Sequence, residues 1–219
     1  MQPSAKANLI SAIFTNLPWS KIMADIWKSF QRNLKELTSQ GIYQVQKYEM
    51  HLTLHDPKGE RASYQKQQKV RYLQNNVIAF HDQAWGDGEF LLNFRCSPGI
   101  AVDRYRIGNK TLTLISLRHI RNRGERDELN IEWDLKNSFT NEIEEWTTTV
   151  SHRTQKLLIN IQFPQKRPPQ KLWLIENNRR KQTELGKNHV QQTANGDWKF
   201  SWCKKKPRLY EDYIIRWQW

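Results

Sequence analysis

The sequence predicts an α+β chain, with an N-terminal amphipathic helical segment followed by a mostly antiparallel β-sandwich. Three observations carry this. The spacing of apolar residues changes from three-and-four to two at Gly41. The alternating segments after it are short and separated by turn residues. No β-α-β rhythm runs through them, which excludes a doubly wound sheet.

The helical prediction covers residues 5–40. Pro18 sits at a helix start, and Ile22, Met23, Ile26, Trp27, Phe30, Leu34 and Leu37 then form one apolar stripe. Gly41 supplies the stop, so the chain divides into a helical extension, 1–41, and a β-sandwich domain, 42–219. The stripe predicts packing on the sandwich or pairing with another chain, giving a homo- or hetero-oligomer through residues 5–40. An oligomerisation or membrane-surface module acting through this helix is an alternative reading.

Beyond Gly41, Tyr48, Met50, Leu52 and Leu54 alternate with polar residues, and Asp56-Pro57-Lys58-Gly59 predicts a turn. Thr111 to Ile120 and Glu128 to Leu135 predict a hairpin whose second strand turns Leu129, Ile131, Trp133 and Leu135 one way. Leu157 to Phe163, Leu172 to Ile175, Trp198 to Trp202 and Tyr213 to Trp219 complete the pattern. The last of these predicts a strand docked inside a sheet. Residues 60–110 read as strand or helix.

Composition narrows the class. Of 219 residues, 10 are Trp, 7 Tyr and 8 Phe, more aromatic content than a disordered chain carries. No apolar run is long enough to predict a transmembrane helix. Cys96 and Cys203 are far apart and form no CxxC, which predicts reduced thiols and no cysteine metal site. The N-terminal residues do not follow signal-peptide order, so the expected location is cytoplasmic.

Charge is the strongest functional signal. Lys and Arg number 35 against 22 Asp and Glu, a formal net charge of +13. Such a surface attracts polyanions, and the expected partner is nucleic acid or an acidic protein. Arg121 and Arg123, Arg179 and Arg180, and Lys204 and Lys205 lie in expected turns, where long side chains reach a phosphate without disturbing a sheet. The acidic run 125–150 is expected to spend Glu128, Glu132 and Asp134 in cross-strand ion pairs with basic residues such as Arg118. A metal held by these three acids, echoing the acid-x-Lys element of metal-dependent nucleases in EWDLK, is the weaker alternative.

No Walker loop, GxGxxG, GxSxG or HExxH occurs, and no cofactor or metal is implied. Two His-x-Thr elements, His51 with Thr53 and His152 with Thr154, resemble those of the two-histidine phosphoesterases. That resemblance implies a metal-independent phosphodiesterase in which one imidazole takes a proton, the other gives one, and the threonines hold phosphate oxygens. The reading adopted is a non-catalytic binding module or accessory subunit. Its tryptophan-rich sandwich resembles, in general build, the all-β appendage domains of bacterial signalling and defence proteins.

Overall fold

A computed structural model describes residues 41–219. The helix expected over residues 5–40 lies outside the described residues. The described chain is all-β, which corrects the α+β class: its helical content is two three-residue 3-10 turns, Asn177–Arg179 and Lys187–His189. The strands are β1 Tyr43–Leu54, β2 Arg61–Tyr72, β3 Val77–Ala84, β4 Glu89–Ser97 and β5 Ile100–Ile107. They continue with β6 Lys110–Arg121, β7 Arg126–Lys136, β8 Ile143–Thr149, β9 Lys156–Phe163 and β10 Lys171–Glu176. β11 Lys181–Glu184, β12 Val190–Gln192, β13 Trp198–Lys205 and β14 Asp212–Gln218 close the series. The ambiguous region 60–110 is therefore strand.

A seven-stranded sheet, β12-β13-β9-β1-β2-β7-β4, forms the base. A four-stranded sheet, β11-β10-β14-β8, and a three-stranded sheet, β3-β6-β5, complete the fold. β1 and β9 run parallel, and the other strand pairs of the described residues are antiparallel. Period-two alternation decides which face is buried. Across the base, Phe200, Ile161, Leu52, Tyr64 and Trp133 stand in one cross-strand row. All five are buried.

Both smaller sheets cover this same face. Trp217 and Trp219 of the four-stranded layer meet Phe163 of β9 at centroid distances of 5.6 and 5.7 Å. Phe80 of the three-stranded sheet meets Tyr43 of β1 at 6.3 Å. The two-layer sandwich expected from the sequence is thus a base with two separate covers. β14 lies between β10 and β8, so the last strand is docked as its alternation predicts.

The expected hairpin of β6 and β7 does not form, because β6 pairs with β3 and β5 while β7 pairs with β2 and β4. The connection carries the chain from one sheet to another and is tied to the end of β2. Gly124 N donates to Tyr72 O, and Tyr72 N donates to Glu125 O, each at 2.9 Å. Arg118, at φ 64°, leaves the extended conformation shortly before this crossing. The cross-strand partners expected from Arg118 come instead from β2 and β4: Lys69 for Glu128 and Arg95 for Glu132. The turn at Gly59 is fixed by tertiary contact, since a Cβ there would sit 1.7 Å from Phe139 O.

Trp217 is a fully buried contact between the two larger layers. Trp217→Ala is expected to cost about 3–5 kcal/mol, while Trp173→Ala, on the opposite face of the same sheet, costs much less. Urea denaturation of the full chain, read as the shift in midpoint at constant slope, measures both.

Candidate functional site

Two features distinguish the described surface: a basic end of the base sheet and a cleft between its two covers.

The basic end arises from strand register. Lys205 pairs with Lys156, and Lys47 pairs with Lys69. Tyr48 pairs with Leu157, so one residue back along the parallel register Lys47 neighbours Lys156. Their strand neighbours Tyr48, Leu157 and Val70 point into the core, so these four lysines stand on the opposite, outer face. Lys205, Lys156, Lys47 and Lys69 thus form one row across β13, β9, β1 and β2, spanning about 14 Å at strand spacing. Arg71 and Arg126, themselves cross-strand partners, lie at the same end. Glu49 engages Lys47, and Glu128 stands 3.7 Å from Lys69.

The basic residues picked from turns divide differently. Arg121 Nε donates to Asp127 at 2.6 Å, beside the Tyr72 hydroxyl, and so holds the end of β2. Arg179 and Lys204 both approach the buried carboxylate of Glu176, at 3.6 and 3.7 Å. This shared carboxylate joins two of the expected basic tips at one corner. Arg123, Arg180 and Lys205 are exposed and have no side-chain partner among the described residues. Lys47, Lys69 and Lys156 were missed in the sequence because they are isolated there, and register alone aligns them.

The cleft has a volume of about 610 Å³. Its floor is the buried face of β1, β2 and β7, and its walls come from β3 on one side and β8 on the other. Lys66 stands in the middle of the floor between apolar neighbours, opposite Met50 and Ile131. Its ammonium donates to Asp82 of β3 at 2.6 Å and lies 5.5 Å from the centre of the Tyr48 ring. Burial alone would lower the Lys66 pKa, but Asp82 overrides it and the pKa is raised. Burial pushes the Tyr43 phenol up to about 12, so it is neutral.

His152 stacks on Tyr43 at 4.3 Å and lines this end of the cleft. Burial, with the charge of Lys66, lowers its pKa to about 4, so the imidazole is neutral at physiological pH. Thr154 is also buried here and donates to the carbonyl of His152 at 2.8 Å. His51 is elsewhere. It alternates with buried Met50 and Leu52, stands on the outer face with Thr53, and lies 3.2 Å from Glu49. The base sheet separates the two histidines, so the structure does not bring the His-x-Thr elements into one site.

At the other end of the cleft Tyr64, Trp133 and Trp146 form an aromatic cluster, with Tyr64 at 4.8 Å from each indole. Glu144 and Trp146 share the inward face of β8, opposite Trp217 and Ile215. Of the acidic residues considered for a metal, Glu132 receives Gln65 and Arg95, and Asp134 receives Asn93. No cluster of metal-ligating residues occurs among the described residues. Cys96 and Cys203 are free thiols. No helix among the described residues is long and apolar enough to cross a membrane.

No family model and no curated protein matches the chain in sequence. Solved structures match in fold. A proposed protease from Parabacteroides distasonis superposes at a TM-score of 0.53 with 9% identity, over 83% of this chain and 41% of that one. A two-domain M1 zinc metallopeptidase bound to L-tryptophan gives 0.48 and 9%, over 80% and 43%. An M1 zinc metallopeptidase from Deinococcus radiodurans gives 0.43 and 12%, over 79% and 42%. The chain therefore spans about two fifths of the structures it resembles, and the likeness to the first is one of fold.

Two outcomes follow from the cleft floor. Asp82→Ala leaves the Lys66 ammonium buried and unpaired and is expected to cost about 3–5 kcal/mol, whereas replacing both by Met and Leu recovers most of that loss. Chemical denaturation of the three variants tests this. His152, with an unfolded pKa near 6.5 and a folded value of about 4, makes the unfolded chain bind the proton more readily between those limits. Stability therefore falls as pH falls from about 6.5 to about 4, by up to about 3 kcal/mol, and is unaffected by this group above that window. His152→Phe keeps a ring on Tyr43 and is expected to flatten this dependence in urea midpoints measured from pH 7 to pH 4.

Proposed function

We propose that the chain is a non-catalytic binding module that recognises a nucleic-acid polyanion through the basic end of its seven-stranded sheet. The observation that carries the reading is the row Lys205, Lys156, Lys47 and Lys69, which cross-strand register places side by side on one open face. A 14 Å row matches the axial span of about four phosphates of one duplex strand, enough for several simultaneous contacts. Arg71, Arg126 and Arg123 extend the positive field at the same end, and Arg180 adds to the basic corner around Glu176. Lysines on a sheet meet phosphates as point charges and carry no base-reading geometry, so binding is weakly sequence-specific. A cytoplasmic location belongs to the same proposal and agrees with the two free thiols.

Labelled single-stranded and duplex oligonucleotides, titrated with the full chain at two salt concentrations and followed by fluorescence anisotropy, test the reading. Each phosphate contact is expected to contribute about −0.9 to the log–log salt slope on duplex and about −0.7 on single strands. The double reversal Lys156→Glu with Lys205→Glu is expected to weaken binding at low salt by more than about tenfold and to lower the slope by about two contacts. Folding stability shifts by no more than about 0.5 kcal/mol per site. Absence of binding at low salt, or binding indifferent to the reversal, overturns the reading in favour of a protein partner.

A further inference from the structure

The cleft lies on the buried side of the base sheet, away from the lysine row, and its charge runs against that of the whole protein. In a chain of net charge +13, its lining holds Asp82, Asp87, Glu144 and Glu145 against Lys66 and Arg106. Asp82 is matched by Lys66 and Glu145 by Arg216, the latter pair at 2.9 Å. That leaves Glu144 and Asp87, while Arg106 Nε donates to Gly108 O at 3.1 Å. Neither carboxylate has a salt bridge among the described residues. Burial raises the Glu144 carboxyl above its ordinary range, and the nearby Asp87 charge raises it further, against a hydrogen bond from Asn141 N and the charge of Arg167. A desolvated carboxylate beside a second one is stabilised by a cation.

The wall next to this pair is aromatic. Tyr64 and Trp133 form the floor there, and Trp146 neighbours Glu144 on β8. The indole Nε1 atoms of Trp133 and Trp146 are buried without a hydrogen-bond partner. Further along β2, Gln68 lines the cleft at only 5% exposure, and its carboxamide has no hydrogen-bond partner among the described residues. Gln68 and Tyr64 lie on the same strand face four residues apart, about 13 Å along the strand. A nearly buried carboxamide without a protein partner at one end and carboxylates without a salt bridge at the other mark a site for one elongated ligand. The fold already holds one ammonium in this way, since Lys66 sits between the Asp82 carboxylate and the Tyr48 ring.

We infer that the cleft binds an organic ammonium compound. Its cationic head lies at Glu144 and Asp87, its apolar body lies on Tyr64, Trp133 and Trp146, and its polar tail is hydrogen-bonded by Gln68. A carboxylate next to aromatic rings favours an ammonium over a metal ion, because the rings contribute cation–π attraction and no inner-sphere ligands. A carboxamide both donates and accepts, so the tail is a neutral polar group rather than a second charge.

The test uses the full chain and follows tryptophan fluorescence and titration calorimetry. The probes are 2-phenylethylammonium and tetramethylammonium as chlorides, 3-phenylpropionate as the anion of matched shape, and methyl β-glucoside as a neutral polyol. Saturable binding of the two cations, with the anion and the glucoside inert, is expected. Glu144→Gln is expected to weaken cation binding by about tenfold or more and Asp87→Asn by less, since a desolvated charge pair counts for more than an exposed one. Glu144 lies on an edge strand, and the melting temperature of the Gln variant reports whether the fold is intact. Lys156→Glu is expected to leave cation binding unchanged while impairing oligonucleotide binding, which separates the two sites. No saturable cation binding, equal binding of the anion, preference for the glucoside, or cation affinity unchanged in Glu144→Gln with the fold intact each overturns the inference.

Discussion

The ion pair between Lys66 and Asp82 ties the three-stranded sheet to the base. Lys66 occupies a position on β2 that an apolar residue would fill in an ordinary sheet face, with Met50 and Ile131 beside it. A lone ammonium there would be strongly destabilising, so the β3 strand that brings Asp82 is bound to the sheet by an electrostatic requirement as well as by packing. Replacement of such a pair by apolar residues is often neutral for stability. Its presence therefore points to specificity. It sets where the three-stranded sheet seats on the base, and it keeps the centre of the floor polar.

That seating leaves the cleft. The base sheet is wider than either cover, and the two covers are different sheets that do not hydrogen-bond to each other. The gap between them is lined by Tyr48, Tyr64, Gln68 and Trp133 along the floor and by Asp82 and Glu144 on the walls. The cleft thus follows from the same feature that makes the fold, one broad apolar face closed by two narrower lids. The opposite face of the base bears Glu49, His51, Thr53 and the lysine row. One sheet presents two chemically opposite surfaces because successive side chains point to opposite sides.

The likeness to larger structures is compatible with this arrangement and adds fold alone. A β-rich unit of this shape recurs as about two fifths of the superposed chain from Parabacteroides distasonis, at 9% identity. At that distance the likeness is one of backbone path. The functional argument accordingly rests on this chain's own side chains.

Period-two alternation was legible in the sequence wherever one face of a strand is buried and the other is polar. The segments Tyr48 to Leu54, Leu129 to Leu135, Leu157 to Phe163 and Tyr213 to Trp219 send alternate residues, nearly all apolar, into the core. The alternation failed at residues 60–110, where β2 carries Lys66 and Gln68 on its buried face and β5 is exposed on both, so polarity no longer reports side. Partners were not legible at all. β6 and β7 are adjacent in sequence yet enter different sheets, and β1 runs parallel to a strand more than a hundred residues away. The same limit hid the sites. Lys47, Lys69, Lys156 and Lys205 are scattered along the chain and become one row through register, while His51 and His152 share a motif and end on opposite sides of a sheet. The sequence alone determined local conformation and the sign of the surface charge, because both depend on neighbouring residues and composition. The tertiary structure decided which charges stand together and where a cleft opens, because pairing between distant strands is set by packing of the whole buried face.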